Sequence, residues 1–406
     1  MPSNTQTRRG VLAAVGSTGL VSLTGCIGRV VAGGERVHKR DAPVGDVRGA
    51  WPTYQHDFAN TGATNESGPS DTATARGVTG GTSAIATSVA LADGRGVVGY
   101  SDGDGDAGAY RGFELGESDA SWTVDYPLGK STPTLASDTM FVSTAEFLAA
   151  YDVRNGELCW RMNTGGYGAA SNSPVLAANT LLDADDETVY GHDPVTGEGQ
   201  WQYDTGGSAA ALVARDSVAY TIVGEDHENT GVAAIDPATG EERWRRDDLP
   251  ECVVPLVAGS DHLYYAAHCG DVYALSLDDG TTQWTASLPL PEDGSAYLAV
   301  ADGRLHAQSP DAALAAFDTE TGTNVWQRTL DIGSLGPGPR PPVIAGDTRF
   351  ALCGDAVYAL DSATGRTRWS LTLDIQPALM SAPSVRDNAI YYAGRGRDYA
   401  VVRVSD

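Results

Sequence analysis

Lysine is nearly missing from this chain: Lys39 and Lys130 are the only two in 406 residues, and the other 25 basic residues are arginines. Against them stand 53 acidic residues, for a formal net charge of −26. Such a surface stays soluble by self-repulsion and repels phosphate backbones and anionic lipid alike, which argues against a nucleic-acid partner. The acids are spread along the chain rather than gathered in a tail, so they read as solvated surface. Other absences narrow the field further. No apolar run approaches the roughly 20 residues that a spanning helix needs. There is no C-x-x-C and no H-x-x-x-H for a transition metal, no G-x-S-x-G nucleophile elbow and no phosphate-cradling P-loop. A helical hydrophobic period is hardly found anywhere.

What the chain does have is one sentence written many times. "YDVRNGELCW" (151–160), "HDPVTGEGQW" (192–201), "IDPATGEERW" (235–244), "LSLDDGTTQW" (275–284), "FDTETGTNVW" (317–326) and "LDSATGRTRW" (360–369) share one skeleton, and "FELGESDASW" (113–122) is a degenerate seventh. Trp122, Trp160, Trp201, Trp244, Trp284, Trp326 and Trp369 thereby occupy one structural position, at spacings of 38–43 residues. In five of the six full units an apolar strand leads to an Asp that can bond the backbone two residues on (Asp152, Asp193, Asp236, Asp318 and Asp361), with Ser276 in its place in the sixth. A Gly then supplies positive φ, and a second strand carries the Trp. Upstream of each motif lies a hairpin, such as "PLVAGSDHLYYAA". Four short strands per unit of about 40 residues make a propeller blade.

Units of the form A-x-D-x-x-T-G-x-x-x-W resemble the blades of the pyrroloquinoline-quinone (PQQ)-type propeller superfamily, which includes quinoprotein alcohol dehydrogenases and outer-membrane assembly lipoproteins. The resemblance covers residues 51–406, and "WPTYQHDFANTG" (51–62) is similar to the segment preceding the first blade in that superfamily. The expected fold is all-β: an eight-bladed propeller of four-stranded antiparallel blades, with seven blades as the alternative. Residues 381–405 provide three strands of an eighth blade, and a strand near 72–81 is expected to close it, with Ala75 in the tryptophan slot. That closure removes the exposed edges of an open ring.

The first 25 residues read as an export signal. Thr7-Arg8-Arg9-Gly10-Val11-Leu12 resembles a twin-arginine motif, a short apolar run follows, and Leu23-Thr24-Gly25-Cys26 resembles a lipobox in which Cys26 takes the lipid. Residues 26–50 are expected to form a flexible lipidated tether. The expected location is the outer face of the cytoplasmic membrane, with membrane contact through the anchor alone. The acidic, lysine-poor balance resembles that of proteins from extreme halophiles.

Candidate sites are sparse. In a four-stranded meander the hairpin turns and the D-x-x-T-G turns share one face (the turn face). The second-to-third-strand loops and inter-blade links share the other (the loop face), and variation there makes it the expected surface for a protein or small-ligand partner of a monomeric propeller. Asp102, Asp104 and Asp106 have the alternate spacing of a Ca²⁺ loop, but Ala107 and Phe113 stand where that pattern wants Gly and Glu, so a solvated acidic loop remains open. Cys252 and Cys269 flank a "GSD" turn and are either a disulfide or two thiols; Cys159 and Cys353 read as buried thiols. The resemblance implies two functions: a non-catalytic binding or scaffold module, for which no cofactor is expected, or a PQQ-dependent dehydrogenase of alcohols or sugars. The second would need PQQ stacked by a tryptophan, Ca²⁺ and an Asp base. This chain has no adjacent cysteine pair and no C-x-x-C-H, and only Trp51 lies outside the repeat.

Overall fold

The computed structural model describes residues 36–45, 51–80, 85–101, 108–117, 120–126, 131–144, 146–164, 173–185, 187–207, 211–224, 230–251, 256–288, 296–331, 341–353, 356–373, 376–377, 382–395 and 399–406. Eight sheets, each built on an antiparallel blade, follow one another along the chain, and that of residues 343–372 also takes Ala63–Thr64 as a parallel edge strand. Blades one to seven span 85–126, 134–163, 175–204, 212–249, 257–287, 297–329 and 343–372, and blade eight begins at 376. The only helical element among the described residues is a single 3₁₀ turn, His268–Gly270. None of the described helices is long and apolar enough to cross a membrane.

Strand length and burial set the direction of each blade. The first strands are short and mostly buried, and those of neighbouring blades touch one another, so they form the inner ring. The fourth strands alternate exposed and half-buried positions and lie outermost. Each tryptophan stands opposite a Gly or Ala of the third strand, as in Trp160 opposite Ala150 and Trp369 opposite Ala359. A small residue there leaves room for the indole to reach the next blade.

That reach explains why Gly and Trp recur together. The indole N–H of Trp284 donates to the Thr319 carbonyl of blade six at 2.8 Å, and Trp326 donates to Ser362 of blade seven at 2.9 Å. The same bond links Trp122, Trp160, Trp201 and Trp244 to Val153, Pro194, Pro237 and Leu277. The ring lies under the turn glycine of the blade it reaches: a Cβ on Gly322 would come within 2.7 Å of Trp284. Gly322 also has φ +70°. The glycine is therefore required twice over, by its own backbone and by its neighbour's indole.

The ring closes between chain ends. Strand Thr74–Gly80 pairs antiparallel with Tyr399–Ser405, the last strand of blade eight. The row that reads Phe350, Ala359, Trp369 in blade seven reads Tyr391, Arg403, Arg76 in blade eight. Arg76, not Ala75, thus holds the tryptophan slot. The one-residue difference is absorbed by the register shift between Gly77 and Thr79, where the buried Val78 bulges into the core.

Before the ring, residues 36–45 lie along blade two. Arg36–His38 adds a fifth strand outside Leu158–Asn163, Arg40 bonds Asp152 at 2.7 Å, and the Ala42 amide reaches the Val195 carbonyl of blade three. The tether expected as far as residue 50 is therefore interrupted by a docked segment, because that outer strand offers a free edge to pair with.

Candidate functional site

The inner ring leaves each first strand with an unpaired edge facing the axis, and a buried backbone N–H there needs a partner. Residues 51–66 supply one after another. The Trp51 carbonyl accepts from Leu91 of blade one, and Pro52 accepts from Leu135 of blade two. Phe58 then accepts from Ala214 of blade four, Ala59 from Ala258 of blade five, Thr61 from Val300 of blade six and Gly62 from Ile344 of blade seven. Finally the Glu66 carboxylate accepts from the Asp387 amide of blade eight at 2.8 Å. The segment is a belt that runs along the inner ring in blade order.

Its shape is held from within by Asp57. One carboxylate oxygen accepts from the amides of Ala59 (3.1 Å) and Thr61 (2.9 Å), and the other accepts from the Thr61 hydroxyl at 2.8 Å. Burial alone would push this carboxyl up, but His56 and Thr61 outweigh it and hold it below the ordinary aspartate range. Gln55 reaches across to the Leu298 carbonyl at 2.7 Å, and Asn60 bonds Leu256. Gln55 and His56 both have left-handed backbones, φ 50° and 82°. Trp51, fully buried, packs edge-on to the His56 ring with centroids 5.0 Å apart.

Where the belt crosses blades six to eight it leaves an open cavity of about 590 Å³ on the turn face. His56, Asn65 and Glu66 border it from the belt, and Asp302 and Arg386 from hairpin turns. Arg386 is tied to Glu66 at 3.2 Å and to Asp387 at 3.4 Å, so the cavity carries no free guanidinium. Its chemistry suits a neutral polar group rather than a strong acid.

The sequence-selected residues fall elsewhere. Asp102, Asp104, Asp106, Cys26 and Cys252 lie outside the described residues, as do Lys130 and Arg340 of the inter-blade links and most of the loop-face loops; of Cys269 only the backbone is described. Cys159 and Cys353 are buried, and neither is in a disulfide. Among the described residues no group of three or more His, Cys, Asp or Glu is placed to hold a metal ion. The belt's role was not found from sequence, because it works through carbonyl oxygens, which every residue type possesses.

A PQQ site can be tested against this axis. The cofactor is a polycarboxylate and needs cationic or N–H donors beside an aromatic face. The described buried polar groups of the belt and inner strands are neutral: Thr53, Gln55, Asn60, Thr61, Ser88, Thr134 and Ser384. The tryptophans of the repeat dock between blades, and Trp51 is covered on all sides. The described residues do not fit the group.

A family model described as outer membrane protein assembly factor BamB matches residues 112–247 and 228–405. No curated protein matches the sequence. Among solved structures, the chain is similar to quinohemoprotein alcohol dehydrogenase from Comamonas testosteroni, with TM-score 0.67 and 12% identity over 87% of this chain and 80% of that one. It is similar to BamB from Moraxella catarrhalis, with TM-score 0.59 and 19% identity over 82% and 97%. The quinohemoprotein alcohol dehydrogenase ADHIIG from Pseudomonas putida HK5 gives 0.66 and 13% over 89% and 80%. At these identities the likeness is one of fold, and a fold hosts many functions.

Proposed function

The chain belongs to the family described as outer membrane protein assembly factor BamB, and from that premise we propose that it is a non-catalytic binding or scaffold propeller. One observation carries the reading: the belt 51–66 binds the inner strands of six blades through its carbonyls and the hairpin turn of blade eight through the Glu66 carboxylate. A dehydrogenase of this architecture needs room at the axis for its cofactor; here the belt lines the inner strands at the turn-face end of that axis. What remains for recognition is broad surface, the faces and the rim, which suits a protein or small ligand.

The same reading takes residues 1–25 as an export signal and Cys26 as the lipidated residue. The disc then sits on the outer face of the cytoplasmic membrane. With residues 36–45 docked on blade two, the tether proposed for residues 26–50 is held to the disc along that stretch. A Ca²⁺ ion on Asp102, Asp104 and Asp106 is compatible with this role as a surface-loop staple.

The experiment is an absorbance spectrum and intact-mass measurement on protein released from native membranes, before and after addition of PQQ with Ca²⁺, with a dye-linked oxidation assay on alcohols and sugars. The expected result is a diacylated Cys26 peptide, no stoichiometric quinone and no dye reduction. Stoichiometric quinone with substrate oxidation would replace the scaffold reading with the dehydrogenase one.

A further inference from the structure

Blade seven sends a charged side chain into blade six. Arg349 lies on strand Thr348–Cys353, on the face that strand alternation turns towards its predecessor. It is fully buried. Nη1 donates to the Ala315 carbonyl at 3.0 Å and Nη2 to the Ala307 carbonyl at 2.8 Å, on two adjacent strands of blade six. Its guanidinium carbon sits 5.3 Å from the centre of the Trp326 ring. The arrangement clamps two blades together.

Among the described residues no carboxylate faces it. Burial drags Arg349 down to about 9, and the one opposing influence among the described residues is the Cys353 thiol, not a carboxylate. The Nε–H also has no hydrogen-bond partner, and neither has Nδ1 of His306 or Oε1 of Gln308. The His306 ring is near enough to feel the Arg349 charge, and Gln308 stands two residues further along the same strand. Ala307, whose carbonyl takes Nη2, is the residue between His306 and Gln308, and both of those side chains alternate towards blade seven. All three are at least nine-tenths buried.

Each group can be a donor. The imidazole is neutral, because burial, Arg349 and Arg304 push its pKa well below the usual value, and a neutral ring can carry its proton on Nδ1. The Gln308 amide presents N–H₂ after a half-turn. A water molecule would answer the hydrogen bonds but not the charge. A buried unpaired cation costs several kcal/mol, and an anion answers both demands. The donor set carries a single positive charge, which matches a small, weakly hydrated, monovalent anion rather than phosphate or sulfate. We propose that Arg349, His306 and Gln308 form a buried halide site between blades six and seven.

The site stands independently of the functional reading above. It is tested on the full chain in sodium gluconate, titrated with sodium chloride or bromide at constant ionic strength. Specific binding raises Tm saturably by a few degrees, with ³⁵Cl line broadening that bromide competes away. Arg349→Met removes the anion response while leaving an apolar side chain of similar length. Should that variant not fold, Gln308→Leu provides the comparison and weakens the apparent halide affinity about tenfold. Cys353→Ser retains the response. Identical Tm in gluconate and chloride, or a response kept in Arg349→Met, overturns the site. A halide response that appears only in Cys353→Ser also overturns it, since the thiolate would then be the counter-charge in the native chain.

Discussion

The side-chain carboxylate of Asp406 accepts two hydrogen bonds from Ser70, one from its amide at 3.0 Å and one from its hydroxyl at 2.6 Å. Inside blade seven Asp361 does the same for Thr364, at 2.9 and 2.8 Å, within one continuous turn. At the seam the two halves of that arrangement come from residues 336 positions apart. The bonds are exposed, so Asp406→Ala is expected to cost only about 1 kcal/mol. Urea midpoints check this, and hydrogen exchange in strand Thr74–Gly80 should accelerate before any other strand does.

The glycine that covers each indole separates two physical effects. Gly303 and Gly322 have nearly the same φ, +68° and +70°, but a Cβ on Gly303 meets nothing closer than 3.9 Å, against 2.7 Å for Gly322. Gly303→Ala should cost about 1–2 kcal/mol, from the left-handed backbone alone. Gly322→Ala adds a clash with Trp284 and should cost about 2–5 kcal/mol. Equal losses in denaturant titrations would show that the indole moves aside freely.

Asp183 is buried, with Oδ1 unpartnered. Burial raises it to about 7, the Ser143 hydroxyl and the Ala184 amide only partly opposing. A carboxyl raised above its unfolded value binds its proton more tightly in the fold. Its stabilising contribution is therefore complete below the unfolded pKa and lost as pH climbs through about 7. Asp183→Asn should flatten the stability profile between about pH 4 and pH 7, the span from the ordinary aspartate value to the raised one, removing a loss on the order of a few kcal/mol. Thermal melts across the range provide the check. An unchanged slope would mean the carboxyl is ionised and balanced in the fold.

Asp57 shapes the belt, so Asp57→Ala should loosen it while leaving the blades intact. The amides of Ala258, Val300 and Ile344, whose acceptors are belt carbonyls, should then exchange at least about tenfold faster. The Gly240 amide, bonded within its own turn to Asp236, serves as the control and should not change. Uniform acceleration would point to global destabilisation instead.

The blades were legible in the sequence because each makes its contacts with the same residue types at the same spacing. Stacking the repeats in register also exposes the exceptions. The column that holds Met140, Leu181, Leu263, Leu305 and Ile390 holds Arg349 in blade seven, and the column of Val142, Ala307 and Ala351 holds Asp183 in blade three. A charged residue in an apolar column is a signal that motif searching passes over. The slip from Arg76 to Ala75 has a different origin: the bulge at Val78 shifts the count by one, and neither Gly77 nor Val78 advertises it. The belt path was illegible because backbone carbonyls carry no side-chain signature. The cavity beside it depends on how segments more than 200 residues apart meet.

The belt also dictates an order of events. Its residues leave the ribosome early, yet the strands that receive them come late: Gln55 waits for Leu298, and Glu66 waits for Asp387. A chain paused before residue 387 would have most of its blades and no finished centre. Contacts of such long reach make a slow final step, in which the first segment synthesised acts as a drawstring pulled tight by the last. Any cellular machinery that handles this protein during synthesis must keep that early segment unengaged until the ring is there to receive it.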